Sequence, residues 1–339
     1  MITKNILGIE TSCDETAAAI VENGVKVRSN VIETSVDFHA QTGGIVPEIA
    51  ARDAEKKILP AIKSALKNAK MDFSQIDAIA VTTGPGLVGS LLVGVAAART
   101  LAFLKKKPLV PIHHITGHIC ANRLNEKQKP DFPALVLTVS GGHTELFLWK
   151  NDFDFEFLGA TIDDAAGEAL DKAARMLGLG FPGGPAIEKL SQNIDDQKYD
   201  FPRPMRRADG FDFSFSGLKT ALFYEIKKTK NLEKERKFLA ASFETAVVDA
   251  LFWRLKKAAE HFQIREIHLS GGVSANQKWR QKIQKFCAEK NLNFRAPEKI
   301  FCTDNAAMIA AAGFFKIQKF PAKKWNWKTV DLALSRTFF

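Results

Sequence analysis

Ala134-Leu135-Val136-Leu137-Thr138-Val139-Ser140-Gly141-Gly142-His143-Thr144-Glu145-Leu146-Phe147-Leu148-Trp149 reads as a strand, a polar glycine-containing loop and a returning strand. The same order opens the chain: Ile6-Leu7-Gly8-Ile9, a turn through Glu10-Thr11-Ser12-Cys13-Asp14-Glu15-Thr16, and a second strand Ala17 to Val21. Two such units of similar chemistry point to an internal duplication in an α/β chain. Glycines without Cβ let backbone N–H groups approach a phosphate or anhydride, so two such loops facing each other would clamp a nucleotide. For the first loop a plain hairpin turn is the alternative.

Between the two units the chain alternates strand and helix. Gly43-Gly44-Ile45-Val46-Pro47 predicts a turn into a helix with Pro47 near its first position, an apolar face at Ile49, Ile58, Ile62 and Leu66, and a bend at Pro60. Ile76 to Thr82 is a buried strand, and Gly84-Pro85-Gly86 turns it into the apolar run Leu87 to Leu104. That run carries Ser90, Arg99 and Thr100 and falls short of the roughly 20 residues of a membrane span, which predicts a buried helix. Leu109 to Ile112 is a strand delivering His113 and His114 at its C-terminal end, where open α/β sheets place ligands. In a helix, His114 and His118 share one face at the spacing two metal ligands need. A third ligand has to come from elsewhere, and Asp304 in Cys302-Thr303-Asp304-Asn305, ahead of a helix Ala306 to Phe315, is the candidate acid. Ordinary helix histidines and a helix-capping Asp304 are the alternatives.

In the second half, Asp163 and Asp164 can start a helix to Leu177 with Glu168, Asp171 and Lys172 in its middle. Gly178, Gly180 and Phe181-Pro182-Gly183-Gly184-Pro185 then turn the chain into a short helix carrying Glu188, whose N-terminus suits an anion or a ribose. Between Tyr199 and Lys219, Arg203, Arg206, Arg207 and Lys219 interleave with Phe201, Phe211, Phe213 and Phe215. Cations among aromatics suit single-stranded nucleic acid, while core phenylalanines are the other reading. A long helical region from about Leu232 to Phe262 precedes a strand Ile267-His268-Leu269 and a third glycine turn, Ser270-Gly271-Gly272-Val273. Asn276 then caps the next helix, or holds a ribose or base edge.

The 339 residues suggest two domains. Cys13, Cys120, Cys287 and Cys302 show no Cys-x-x-Cys pair, which argues against a disulfide framework or a thiolate zinc site and for a reduced, cytoplasmic location. No charged-then-apolar leader precedes Asn5, so no signal peptide is expected. The net charge of +10 favours a polyanionic partner, with nucleic acid a candidate, although lysine runs such as Lys227, Lys228 and Lys230 also suit a solvated surface.

Gly8 to Thr16, Gly43 to Glu48, Ser140 to Thr144, Phe181 to Pro185, Phe213 to Thr220 and Cys302 to Ala307 together resemble the signatures of the tRNA N6-adenosine threonylcarbamoyltransferase family over nearly the whole chain. The resemblance implies a duplicated actin-like, sugar-kinase and heat-shock ATPase (ribonuclease H-like) fold of two lobes around a central cleft. The N-terminal lobe would be residues 1–132, and the C-terminal lobe 133–339 with helical insertions at about 163–262. It implies one divalent metal ion on His114, His118 and Asp304, Fe2+ in first place and Zn2+ in second. It places the ligand pocket at Thr138, Val139, Ser140, Gly141, Gly142, Asp171, Gly184, Glu188 and Asn276, with Asp14 contributing to the transfer step. The implied reaction moves the threonylcarbamoyl group of threonylcarbamoyl-AMP to N6 of adenosine 37 in tRNAs that read codons beginning with A, giving t6A and AMP. The implied partners are tRNA, a smaller TsaB-like paralogue and a TsaE-like P-loop ATPase, and no membrane. Ala54 and Thr116 depart from the family pattern, which often has a histidine and an acid there. The rival readings are an actin-like kinase, a non-catalytic nucleotide-binding scaffold, and a metalloprotease, against which His114-Ile115-Thr116-Gly117-His118 lacks the glutamate of His-Glu-x-x-His.

Overall fold

Strand β1 (Asn5–Glu10) is solvent-free from Ile6 onward and sits in the middle of a five-stranded sheet. A computed structural model describes residues 4–34 and 45–333, so Gly43 and Gly44 of the expected turn lie outside the described residues. β2 (Glu15–Glu22) returns antiparallel to β1 with Leu7 opposite Ile20, and β3 (Lys26–Thr34) pairs antiparallel outside it. On the other side β4 (Ala78–Gly84) and β5 (Leu109–His113) run parallel, giving the order β3-β2-β1-β4-β5. The parallel steps are bridged by helix, as parallel pairing requires. α1 (Pro47–Ala69) starts with proline in its first turn as expected, and runs through Pro60 as one helix. α2 (Val88–Lys105) joins β4 to β5, and α3 (His114–Cys120) follows β5 directly.

The second sheet repeats this plan. β6 (Ala134–Val139), β7 (Thr144–Asn151) and β8 (Asp154–Ala160) form the antiparallel side, and β9 (Glu266–Ser270) and β10 (Asn293–Arg295) the parallel side. The order β10-β9-β6-β7-β8 is the first sheet's order read from the other edge. Two sheets of equal topology are the internal duplication read from the paired strand-loop-strand units, and the duplicated actin-like fold that the family resemblance implies. Four helices lie between β8 and β9: α4 (Ala166–Met176), α5 (Gly183–Ser191), α6 (Ser216–Lys228) and α7 (Leu232–His261). α8 (Gln277–Lys290) connects β9 to β10.

Three expectations change. The compact units are Met1–Pro130 with Pro297–Phe339, and Asp131–Ala296, so the described residues 297–333 group with the N-terminal unit. The reason is α9 (Ala306–Lys319), whose alanine-rich buried face packs on β1, β2, β4 and α3. Gly8 makes that approach close: a Cβ there would stand 2.1 Å from the Ala306 carbonyl oxygen and 2.8 Å from the Ala310 nitrogen. Second, α2 is long and apolar enough to cross a membrane, but it is a one-sided surface helix. Its Leu91, Gly94, Val95, Ala98 and Ala102 are buried, while Val88, Leu92, Phe103 and Leu104 are exposed. Third, Asp163 does not start α4. Its carboxylate accepts from the Phe215 and Ser216 backbone N–H groups at 2.8 and 3.3 Å and so closes the N-terminus of α6. Asp164 instead holds Lys172 and Lys219 at 2.9 and 2.8 Å.

Candidate metal centre and ligand-binding turns

β5 ends at His113 and α3 begins at His114 without a loop, so the helix face is set by the strand that precedes it. One turn later His118 stands beside His114, with ring centroids 4.6 Å apart and planes at 80°. Gly117 lies between them, and a Cβ there would meet Ile309 Cδ1 at 2.6 Å, so α9 presses closely on this face. α9 is capped by Asn305, whose side chain accepts from the Met308 N–H at 3.0 Å. Asp304 is therefore not the cap. Its Oδ1 lies 3.1 Å from His118 Nε2 and 3.5 Å from His114 Nε2. One donor atom from each of the three residues falls within 4.8 Å of the others.

The surroundings prepare these donors. Glu10 is wholly buried; it accepts from the Ser12 N–H and the Thr82 hydroxyl, both at 2.6 Å, and its Oε2 is 3.3 Å from His114 Nδ1. Ser12 Oγ lies 3.1 Å from the same nitrogen. A carboxylate only accepts, so for Nε2 to serve as a ligand the proton sits on Nδ1, facing Glu10, and the Nε2 lone pair faces the Asp304 oxygen. His118 is completely buried and neither ring nitrogen has a hydrogen-bond partner, although Nε2 faces the same oxygen. Lone pairs aimed at one another inside a protein are costly unless a cation lies among them. A two-nitrogen, one-oxygen donor set fits a divalent transition metal and leaves positions for a ligand. His113 is not part of the set. Burial, then His114 and Lys316, hold its imidazole down to about 3, so it stays neutral.

Asp14 is half-buried in the turn between β1 and β2. The Glu15 carboxyl is pushed well above the usual range, first by burial, then by Asp304 and Asp14. Burial also raises the Cys13 thiol, with the same acids adding to it. Asp14, Glu15 and Asp304 thus form one acidic neighbourhood beside the histidines.

In the unit Asp131–Ala296, the expected pocket residues fall into three linked turns. Thr138 is buried with its hydroxyl bound to Ser270 at 2.8 Å, and Val139 is buried too, so neither offers its side chain. Ser140 closes its turn with His143, while around Gly141 and Gly142 the space is open. Gly167, in the first turn of α4, and Gly271 sit against this loop: a Cβ on either would lie 2.4 Å from the Ser140 or Val139 carbonyl oxygen, respectively. Gly271, at φ +81°, is a position only glycine accepts comfortably. Asp171 accepts from the Gly183 N–H at 2.7 Å at the start of α5; burial raises its carboxyl against the pull of the Gly183 and Gly184 N–H groups. Glu188 accepts from the Gln277 N–H at 2.8 Å. Asn276 caps α8 through Trp279 and donates to Glu244 at 2.7 Å. Glu188 and Glu244 share a pocket of about 380 Å³ with Lys278.

Sequence reasoning passed over Glu10, Ser12 and Thr82 as supports of His114, and Glu244 as the partner of Asn276. The signal for Glu10 was a charged residue ending an otherwise apolar strand; nothing local marks Glu244 inside a long helix.

The duplicated fold sets two histidines and a carboxylate together in one unit, and in the other glycine-rich turns beside helix N-termini, an arrangement suited to phosphate groups. The fold is shared by the T. kodakarensis HypF structure, with a TM-score of 0.63 at 15% identity over 94% of this chain and 48% of that one. It is also shared by the activator of 2-hydroxyisocaproyl-CoA dehydratase from Clostridium difficile, solved with bound ADPNP, with a TM-score of 0.54 at 12% identity over 94% and 97%. The family model of tRNA N6-adenosine threonylcarbamoyltransferase matches residues 26–311. Relatives of that name from Thermosipho africanus and Caldicellulosiruptor saccharolyticus are 50% and 48% identical, covering 91% and 96% of this chain and 93% and 96% of their own lengths. The chain belongs to the tRNA N6-adenosine threonylcarbamoyltransferase family and is a transferase acting in tRNA modification.

Proposed function

We propose that this chain transfers the threonylcarbamoyl group of threonylcarbamoyl-AMP to N6 of adenosine 37 in tRNAs that read codons beginning with A, giving t6A and AMP. The observation that carries the reading is the meeting of His114, His118 and Asp304 within 4.8 Å in a chain of this family. In this reading the three hold one divalent ion, Fe2+ in first place and Zn2+ in second. Bound there, the ion supplies Lewis-acid polarisation of donor oxygens.

The chain's own groups do the rest. Glu10 and Ser12 keep His114 in one tautomer. The adenine N6 amine is a poor nucleophile, so positioning and removal of its proton matter. Asp14 orients that amine or takes its proton as the new N–C bond forms and the bond from the carbonyl carbon to the phosphate oxygen breaks. The Ser140–Gly142 turn, with Thr138 and Val139 shaping it from below, meets the donor's phosphate through backbone N–H groups, while Asp171, Gly184, Glu188 and Asn276 take its nucleoside. AMP leaves with the bonding electrons. A smaller TsaB-like paralogue and a TsaE-like P-loop ATPase complete the working set, in the cytoplasm.

The deciding experiment mixes the chain with threonylcarbamoyl-AMP, unmodified tRNA and those partners, and reads modified nucleosides by mass spectrometry. Threonylcarbamoyladenosine and stoichiometric AMP are expected. Phosphorylated product from ATP in the absence of the carbamoyl donor would move the chain to the kinase reading instead.

A further inference from the structure

The cations and aromatics between Tyr199 and Lys219 sort into two groups. Phe201, Phe213 and Phe215 are buried core. Lys219 is held by Asp164 at 2.8 Å, and Arg203 by Asp249 at 3.0 Å. Arg206 and Arg207 remain exposed on the loop before β-bridge residue Phe213. The aromatic partner of Arg206 comes from a different part of the chain: its guanidinium lies 4.0 Å from the ring centre of Trp253 on α7.

The loop that carries them is held rigidly. Arg254, only 3% exposed, donates to the Met205 carbonyl, to Ala208 O at 2.8 Å and to Gly210 O at 3.1 Å. Lys257 adds a bond to Ala208 O at 3.0 Å. The acceptors of this buried arginine are all loop carbonyls, so α7 both supplies the indole and fixes the backbone that aims Arg206 at it. The loop and helix border an open pocket of about 970 Å³ whose lining includes Met205, Arg206, Arg207 and Trp253 together with Asp200 and Asp249, the latter paired with Arg203. That volume lies at the upper end of the roughly 300–1,000 Å³ of ligand clefts.

We propose that this pocket is a subsite for single-stranded RNA, in which an unpaired base of the tRNA stacks on the Arg206–Trp253 platform and Arg207 meets the adjoining phosphate. The proposal rests on the tRNA reading above. A guanidinium held 4.0 Å over an indole ring makes a cationic, aromatic platform of the kind on which nucleobases stack. Exposed Asp200 and Asp209 flank the arginines in sequence, and Asp200 lies 3.7 Å from Arg203.

The test measures binding of unmodified tRNA by the full-length chain, by fluorescence anisotropy over a salt series, with circular dichroism to confirm folding. Arg206→Ala is expected to weaken binding roughly ten-fold through lost stacking. Arg206→Lys keeps the charge and is expected to keep the salt slope but not the affinity. Arg207→Ala is expected to lower the slope of log K against log salt by about 0.7, the value for one single-stranded phosphate contact. Unchanged affinity and slope in Arg206→Ala and Arg207→Ala overturn the subsite, as does an Arg206→Lys protein indistinguishable from wild type. If wild type binds and modifies tRNA while these variants do so equally well, only the subsite falls; if wild type neither binds nor modifies tRNA, the proposed function falls with it.

Discussion

Replacing Glu10 by Gln changes one atom of a wholly buried side chain and tests how the proposed metal ligands are presented. Glu10 Oε1 accepts from the Ser12 N–H, and Oε2 accepts from Thr82 Oγ and faces His114 Nδ1. The Ser12 N–H is fixed, so the amide oxygen of the substituted side chain has to stay with it and the NH2 group replaces Oε2. The Thr82 hydroxyl can rotate to accept. His114 can accept only by moving its proton to Nε2, the nitrogen aimed at Asp304. The variant therefore shifts His114 towards the tautomer that protonates its metal-facing nitrogen, leaving Ser12 Oγ, 3.1 Å away, to accept any proton that stays on Nδ1. Metal affinity should fall by about 10- to 100-fold, the usual effect of removing an outer-sphere partner, while stability drops by only about 1 kcal/mol. For a unit of this size that is a melting shift of about 2–4 °C. Thr82→Val is the control: it removes one donor to Glu10 with a similar stability loss and leaves the tautomer alone. Competition of folded protein with a chromophoric chelator, for Zn2+ in air and Fe2+ without oxygen, reads both variants beside a thermal melt. Wild-type affinity in a folded Glu10→Gln protein, or equal metal loss in Thr82→Val, would refute the tautomer argument.

Three further outcomes are expected. His114→Ala combined with His118→Ala should abolish bound metal, measured by elemental analysis, with the fold retained because β4, β5 and α9 pack against α3; undiminished metal in the folded protein would remove these residues as ligands. Asp14→Asn should still bind threonylcarbamoyl-AMP but lose about 10²-fold or more in single-turnover transfer, whereas a modest parallel drop in turnover and melting temperature would reduce Asp14 to a turn former. Glu266 tests the acid limb of stability: burial opposes its charge, but His268, the Asp131 N–H and Arg295 together pull its carboxyl from 4.5 to about 2. A carboxyl depressed by folding contributes stability above its unfolded value that is lost as pH falls from about 4.5 towards 2. Glu266→Gln should flatten the melting temperature across that window, and an unchanged pH profile would show that other groups set the acid limit.

Spacing and local chemistry alone determined a good deal of this protein. Alternation of apolar runs with glycine turns located β1, β2, β6 and β7 and their duplication, because strands buried on both faces write continuous apolar runs. Pro47 and Asn276 marked helix starts, since capping depends on residues within one turn. The pair His114 and His118 was legible as one face of a helix for the same reason. What spacing encodes is a face, not the partner that meets it. That Asp304 completes the histidine pair, that residues 297–333 return to the first unit, and that Glu10 orients His114 were decided by closure over distances of roughly 100 to 200 residues along the chain. This closure depends on backbone approach at Gly8, where a side chain would collide with the Ala306 and Ala310 backbone of α9. The same applies to charge and ring placement. Asp163 caps α6 rather than α4, and Arg206 finds Trp253 rather than a neighbouring phenylalanine. Local pattern fixes which residues seek a partner, and the packing of distant elements chooses which partner is within reach.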